Sequence, residues 1–101
     1  MNSFFVGVPY TDCPEGLVTT REDEAVGIAV GAWLVGQKPI VYMQNSGLGN
    51  CIDIITSLLK PYGIEIPLII SNRSTPEHHA FMGKITKDLL RLIEYESVVL
   101  H

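Results

Sequence analysis

The sequence predicts an α/β domain: a parallel sheet with helices on both faces, three layers in all. Three observations lead there. Short apolar runs without polar alternation recur at residues 4–8, 40–43 and 67–70, as in parallel strands buried on both faces. Longer segments with helical signals lie between them, so strand and helix alternate along the chain. Pro9, Gly36, Pro61 and Gly63 close successive segments, and such residues punctuate structure. The 101 residues contain no internal repeat and no linker, so 1–101 reads as a single domain.

In order, residues 4–8 form a strand ended by Pro9. Residues 10–16, with Asp12, Pro14 and Gly16, form a loop. Residues 17–19 are a very short second strand. A helix follows, with Thr19 or Thr20 as N-cap and Glu22 or Asp23 three residues on, as a capping box requires. It runs to about Val35, where Gly36 stops it. Ala25, Ala29, Ala32 and Gly36 line one side; Val26, Val30, Trp33 and Leu34 fall mainly on another. The small-residue stripe admits a close neighbour, either its own sheet or a second subunit. Residues 40–43 form a strand, 44–50 a turn, and 51–60 a helix stopped by Pro61 and Gly63. Residues 67–71 form a strand with Pro67 first, where its missing N–H matters least. After a polar loop at 72–76, residues 77–94 contain a helix with Phe81, Ile85, Leu89 and Leu92 or Ile93 at helical spacing. Residues 97–100 form a last strand.

Apolar residues make up 47% of the chain and charged ones 18%. That is rich for a chain with so much surface per volume, so a partner is expected to cover part of it. A net charge of −4 with no basic patch argues against nucleic acid and anionic membranes as partners. No apolar run approaches a membrane span, and residues 1–8 lack the features of a signal peptide. Cys13 and Cys51 form no CxxC pair; a reduced, cytoplasmic protein is the expectation.

Ligands of such sheets bind beyond the C-terminal strand ends, which points to the loops at 9–16, 44–50 and 72–79. The second, Gln44-Asn45-Ser46-Gly47-Leu48-Gly49-Asn50, offers amides, a hydroxyl and two glycines before a helix. Glycine permits positive φ and close approach of the backbone. The segment is neither a Walker loop nor GxGxxG, and a ligand-free turn is the plain alternative. His78 and His79 suit proton transfer because imidazole titrates near neutrality; exposed histidines without a role fit equally, and zinc lacks a ligand set. Cys51 opens a helix, where a thiolate is favoured, or is simply a small buried residue. Asp12 is a catalytic acid or a turn former. Glu22 is a helix cap contributing roughly 1 kcal/mol, or a carboxylate that shares a proton with a ligand nitrogen.

Taken together, Arg21-Glu22-Asp23-Glu24-Ala25-Val26-Gly27-Ile28-Ala29, Met43 through Asn50 and Ile66-Pro67-Leu68 resemble the pyrimidine-binding domain of thiamine-diphosphate-dependent decarboxylases. The nearest branch is the sulfopyruvate and phosphonopyruvate decarboxylases, and the likeness covers roughly residues 7–86. In the sulfopyruvate type this domain can be a separate alpha subunit. The resemblance implies that Glu22 hydrogen-bonds the pyrimidine ring nitrogen of thiamine diphosphate and activates it for attack on a 2-oxo acid. It implies that residues 44–50 line the cofactor and that His79, with His78, moves protons. Arg73 and Asp12 would meet the substrate, Arg73 at an anionic tail. Asp23 and Glu24 do not align with the family glutamate and read as helix-dipole partners or solvated charges. The diphosphate and Mg2+ would be held by a beta subunit, since no Gly-Asp-Gly motif occurs here; a hetero-oligomer or homodimer contact follows. Two departures stand out. Tyr10 occupies the place of an acidic residue after Pro9, with Asp12 as substitute. About ten residues separate Pro9 from Thr20 where the family carries a whole helix, although a parallel pair normally needs a dozen or more connecting residues. The alternative is a non-catalytic α/β module that binds a partner or a small anion.

Overall fold

The computed structural model describes residues 3–101. It contains one five-stranded sheet in the order β2-β1-β3-β4-β5. The strands are β1 (Ser3–Gly7), β2 (Leu17–Val18), β3 (Lys38–Gln44), β4 (Leu68–Ser71) and β5 (Val98–Leu100), and every neighbouring pair is parallel. The helices are α1 (Glu22–Leu34), α2 (Leu48–Ile54), continued by a widened π turn over Ile55–Leu59, and α3 (Glu77–Leu92). The predicted parallel α/β class is the one adopted.

The layers are unequal. The connections through α1, α2 and α3 all step along the sheet in the same direction. Right-handed crossovers then place all three helices on one face. The core agrees: Val6, Val41, Met43, Leu68 and Ile70 from the sheet pack with Ala25, Val26, Ala29 and Val30 of α1, Cys51 of α2 and Leu90 of α3. Residues of opposite parity point to the other face. There Tyr42 is buried, Phe5, Ile40 and Ile69 are half-buried, and Val99 is exposed. Where the sequence predicts a further helix layer, this second face carries the 8–16 loop instead. Gly16 lies against Phe5, and the Tyr10 ring meets Tyr42 edge-on at 6.1 Å.

The short first connection resolves itself through β2. That strand has two residues, paired as Val6↔Leu17 and Gly7↔Val18. It needs to run back only a few ångströms along β1, within easy reach of the 8–16 segment at about 3.3–3.6 Å per residue. β1 keeps its place beside β3, from Ser3↔Lys38 to Gly7↔Tyr42.

Two helix details depart from the sequence reading. The N-cap of α1 is Arg21, not Thr19 or Thr20. The carboxylate that reaches back belongs to Glu24, not Glu22 or Asp23: its Oε1 accepts from Thr20 N–H at 3.0 Å and Arg21 N–H at 3.5 Å. In α3 the inward stripe is Met82, Thr86, Leu90 and Ile93, while Phe81 and Leu92 are 72% and 80% exposed. Leu89 and Ile93 of the predicted stripe do pack on the core; the buried side is centred on Thr86 and Leu90, and Thr86 has buried partners, described below.

Candidate active site at the strand tips

The acidic triplet at the head of α1 divides its labour. Glu24 closes the helix start. Asp23 pairs with Arg21, Nε to Oδ1 at 3.0 Å, and that hydrogen bond holds the Asp23 carboxyl below the usual aspartate range. Glu22 does neither. Its Oε1 accepts from Asn50 Nδ2 at 2.9 Å, and the rest of the carboxylate lies on Gly47. A Cβ on Gly47 would fall 2.3 Å from Glu22 Cγ and 2.6 Å from Oε2. The first turn of α1 is thereby fixed to the turn after β3, with a half-buried carboxylate between them.

That turn begins where β3 ends. Gln44 Nε2 donates to Ser46 Oγ at 3.2 Å and lies 3.5 Å from His79 Nδ1. Residues Asn45–Gly47 form a single 3-10 turn, and α2 follows directly. Gly47 has ordinary helical angles, φ −75° and ψ −17°; glycine is required by the nearness of Glu22, not by a positive φ. Asn45 and Leu48, both expected to line a cofactor, point inward instead and are fully buried. Leu48 is a core residue. Asn45 is saturated by partners within the chain. Gly49 and Asn50 are exposed.

The third loop brings Arg73, His78 and His79. The two imidazoles lie tilted at 45° to each other with centroids 4.0 Å apart; His79 is half-buried toward Gln44 and His78 is exposed. Arg73 turns toward the second sheet face. Its Nε donates to Ser71 Oγ at 3.0 Å, an Nη donates to Thr11 O at 3.4 Å, and the guanidinium sits 6.0 Å from the Tyr10 ring. Asp12 is exposed in a turn at φ +64°, the turn-forming role among its alternatives. Thus Glu22, Gly47 and Asn50 meet in one group, and Gln44, Ser46 and His79 in a second. The Asn45–Gly47 turn joins the two. Arg73 is tied to that turn through its backbone, and Asp12 stands exposed in its own turn.

Cys51 is buried in the core. Burial, with the Glu22 and Asp23 charges adding to it, pushes its thiol up to about 12, so the small-buried-residue reading holds. Among the described residues no three His, Cys, Asp or Glu side chains gather as a metal site, and no helix is long and apolar enough to cross a membrane.

Three residues that matter here escape a sequence reading of the site: Thr86, Asn72 and the contact side of Tyr10. Thr86 left a trace, since Met82, Thr86 and Leu90 share one helical stripe on which a polar residue is out of place.

Fold and site together define a parallel α/β domain presenting a carboxylate, an imidazole pair and a guanidinium around its strand tips. No protein-family model matches the chain. It is homologous to the alpha subunit of sulfopyruvate decarboxylase and to phosphonopyruvate decarboxylase. The alpha subunit from Methanothermobacter thermautotrophicus is 43% identical over 79 residues, covering 74% of this chain and 48% of the relative. That from Methanococcus maripaludis is 47% identical over 79 residues, covering 74% and 47%. The phosphonopyruvate decarboxylase of Streptomyces viridochromogenes is 43% identical over 86 residues, covering 79% of this chain and 21% of its own length. The chain spans about half the length of the alpha subunits it matches.

Proposed function

We propose that this chain is the pyrimidine-side, alpha-type component of a thiamine-diphosphate-dependent 2-oxo acid decarboxylase, with 3-sulfopyruvate or 3-phosphonopyruvate as substrate. The observation that carries the reading is Glu22: alone of the three acids at the α1 terminus it is spent on neither cap nor ion pair, and its carboxylate is pressed on Gly47 and steadied by Asn50. The similarity to decarboxylases supplies the chemistry.

The donor set suits the cofactor's pyrimidine. A carboxylate with Oε1 held by an amide N–H keeps Oε2 beside Gly47, where nothing larger than hydrogen stands over it. Such a group accepts or shares a proton at a ring nitrogen. Thiamine diphosphate, when bound, supplies the electron sink for loss of carbon dioxide. Ser46, Gly47, Gly49 and Asn50 would flank the ring. His79, aligned by Gln44, and His78 beside it exchange the proton that replaces the carboxylate. Arg73 meets the sulfonate or phosphonate, with Asp12 in the adjoining 8–16 loop, whose Thr11 carbonyl accepts from Arg73.

The diphosphate and its Mg2+ belong to a beta-type subunit in the cytoplasm, and the cofactor lies between the two chains. Support for a partner comes from α1, which past its acidic first turn carries apolar residues on both sides: Ala25, Val26 and Ala29 are buried inside, while Ile28 and Leu34, with Val35 at the C-cap, stand exposed outside. Helices apolar on both faces are covered in the working molecule. The rival reading, a non-catalytic binding module, is favoured by the thin second face, where the 8–16 loop replaces a helix layer.

Partner capture decides between them. The chain is mixed with the diphosphate-binding subunit of a sulfopyruvate decarboxylase, thiamine diphosphate and Mg2+, and thiamine diphosphate affinity is measured by calorimetry. The decarboxylase reading expects a co-eluting complex that binds the cofactor more tightly than either chain alone. Co-elution without any gain in affinity supports the binding module.

A further inference from the structure

Asn45 is completely buried, as is Thr86 on the inner stripe of α3. The Asn45 amide grips the loop after β4 at one residue: Oδ1 accepts from Arg73 N–H at 3.0 Å, and Nδ2 donates to Arg73 O at 3.0 Å. Nδ2 also points at Asn72 Oδ1, 2.9 Å away, and at Thr86 Oγ1, 3.0 Å away. The Thr86 hydroxyl donates in turn to Met82 O within α3. No buried side-chain nitrogen or oxygen among the described residues lacks a partner, so every buried polar atom of this network is engaged, the two Nδ2 hydrogens being shared among three acceptors. Satisfied buried networks fix geometry, where apolar packing of equal volume would tolerate sliding.

What the network joins is specific. Asn45 lies in the 3-10 turn whose Gly47 carries Glu22. It is preceded by Gln44, which reaches His79. Through Arg73 it holds the guanidinium-bearing loop, and through Thr86 it holds α3, whose first turn bears His78 and His79. We infer that Asn45, keyed by Thr86, is a positioning residue that fixes the Arg73 and His79 arm relative to the Glu22 turn, so that a substrate held by the arm faces the cofactor ring held at Glu22. This inference rests on the decarboxylase reading; the network's mechanical role does not.

The test uses Asn45→Ala, Thr86→Val and Thr86→Ser in the full chain, reconstituted with a diphosphate-binding subunit. For Asn45→Ala the expected result is a KM for the 2-oxo acid raised about tenfold, with thiamine diphosphate affinity within about twofold of wild type. Thr86→Val moves in the same sense, and Thr86→Ser restores the wild-type KM. A merely structural contact would instead lower thermal stability and leave the ratio of KM to cofactor affinity unchanged, which overturns the inference. Hydrogen exchange of the unmixed chain supplies an arm independent of turnover. Amides over 72–80 should exchange at least about tenfold faster in Asn45→Ala and Thr86→Val, while those of α1 do not change. Uniform acceleration overturns the positioning role even if the wild type decarboxylates. Selective acceleration in a chain that decarboxylates nothing leaves the clamp standing and removes the decarboxylase reading.

Discussion

Gly47 needs no unusual backbone angle, yet a single methyl there would strike the Glu22 side chain at 2.3 Å. Gly47→Ala is therefore expected to displace the carboxylate and lower turnover of the reconstituted pair at least about tenfold, with helix content by circular dichroism unchanged. Undiminished turnover would show that the carboxylate is not where the reaction needs it. The Cys51 thiol makes a prediction of another kind. Its folded value of about 12 stands above the ordinary 9.0, so the folded chain keeps a proton that the unfolded chain releases. This stabilisation is complete below about pH 9 and is lost as pH climbs toward about 12. The Tyr95 hydroxyl, raised by burial from 10.0 to about 12, adds to the loss in the upper part of that window. Urea midpoints should fall as pH rises above 9, and Cys51→Ala should flatten the early part of the fall; an equal slope in both proteins would contradict it. At this scale the sequence made Glu22 visible only beside its neighbours. Three adjacent acids cannot be told apart by spacing, and their division into cap, ion pair and free carboxylate needed the positions of Arg21 and Asn50.

Helix α1 was legible as an element, since an apolar run closed by glycine leaves few alternatives. Gly36, at φ +87°, fills the role its place in the sequence implies. The cap was not legible: Thr19 spends its hydroxyl on Arg21 O, and Arg21 takes the extended N-cap position. In α3 the predicted stripe held at Leu89 and Ile93, which pack on the core, failed at the exposed Phe81, and missed Met82, Thr86 and Leu90. A buried threonine satisfied by an asparagine forty-one positions away in sequence leaves no periodic signal. The outward side of α1 carries a testable consequence. Ile28→Asp and Val35→Asp should leave the unmixed chain as stable as wild type to within about 0.5 kcal/mol and abolish co-elution with the diphosphate-binding subunit. Co-elution at wild-type strength would place the partner elsewhere.

The whole molecule is a parallel sheet with all three helices on one face. Alternation of strands and helices was sufficient to predict the class, and the direction of each crossover follows from the strand order. The thin second face was not foreseen. The very short second strand and the missing crossover helix before Thr20 were legible; that the 8–16 loop would cover the second face was not. The strand tips hold a carboxylate, imidazoles and a guanidinium; on the proposed reading these serve the pyrimidine and the substrate, and the grip on a diphosphate is supplied from outside these residues. The most direct measurement is carbon dioxide release from 3-sulfopyruvate and 3-phosphonopyruvate by the chain mixed with a diphosphate-binding subunit, thiamine diphosphate and Mg2+, wild type against Glu22→Gln. The prediction is release by the wild-type pair and a loss of at least about a hundredfold in the variant, with the two chains still eluting together. Equal release by both would contradict the role given to Glu22.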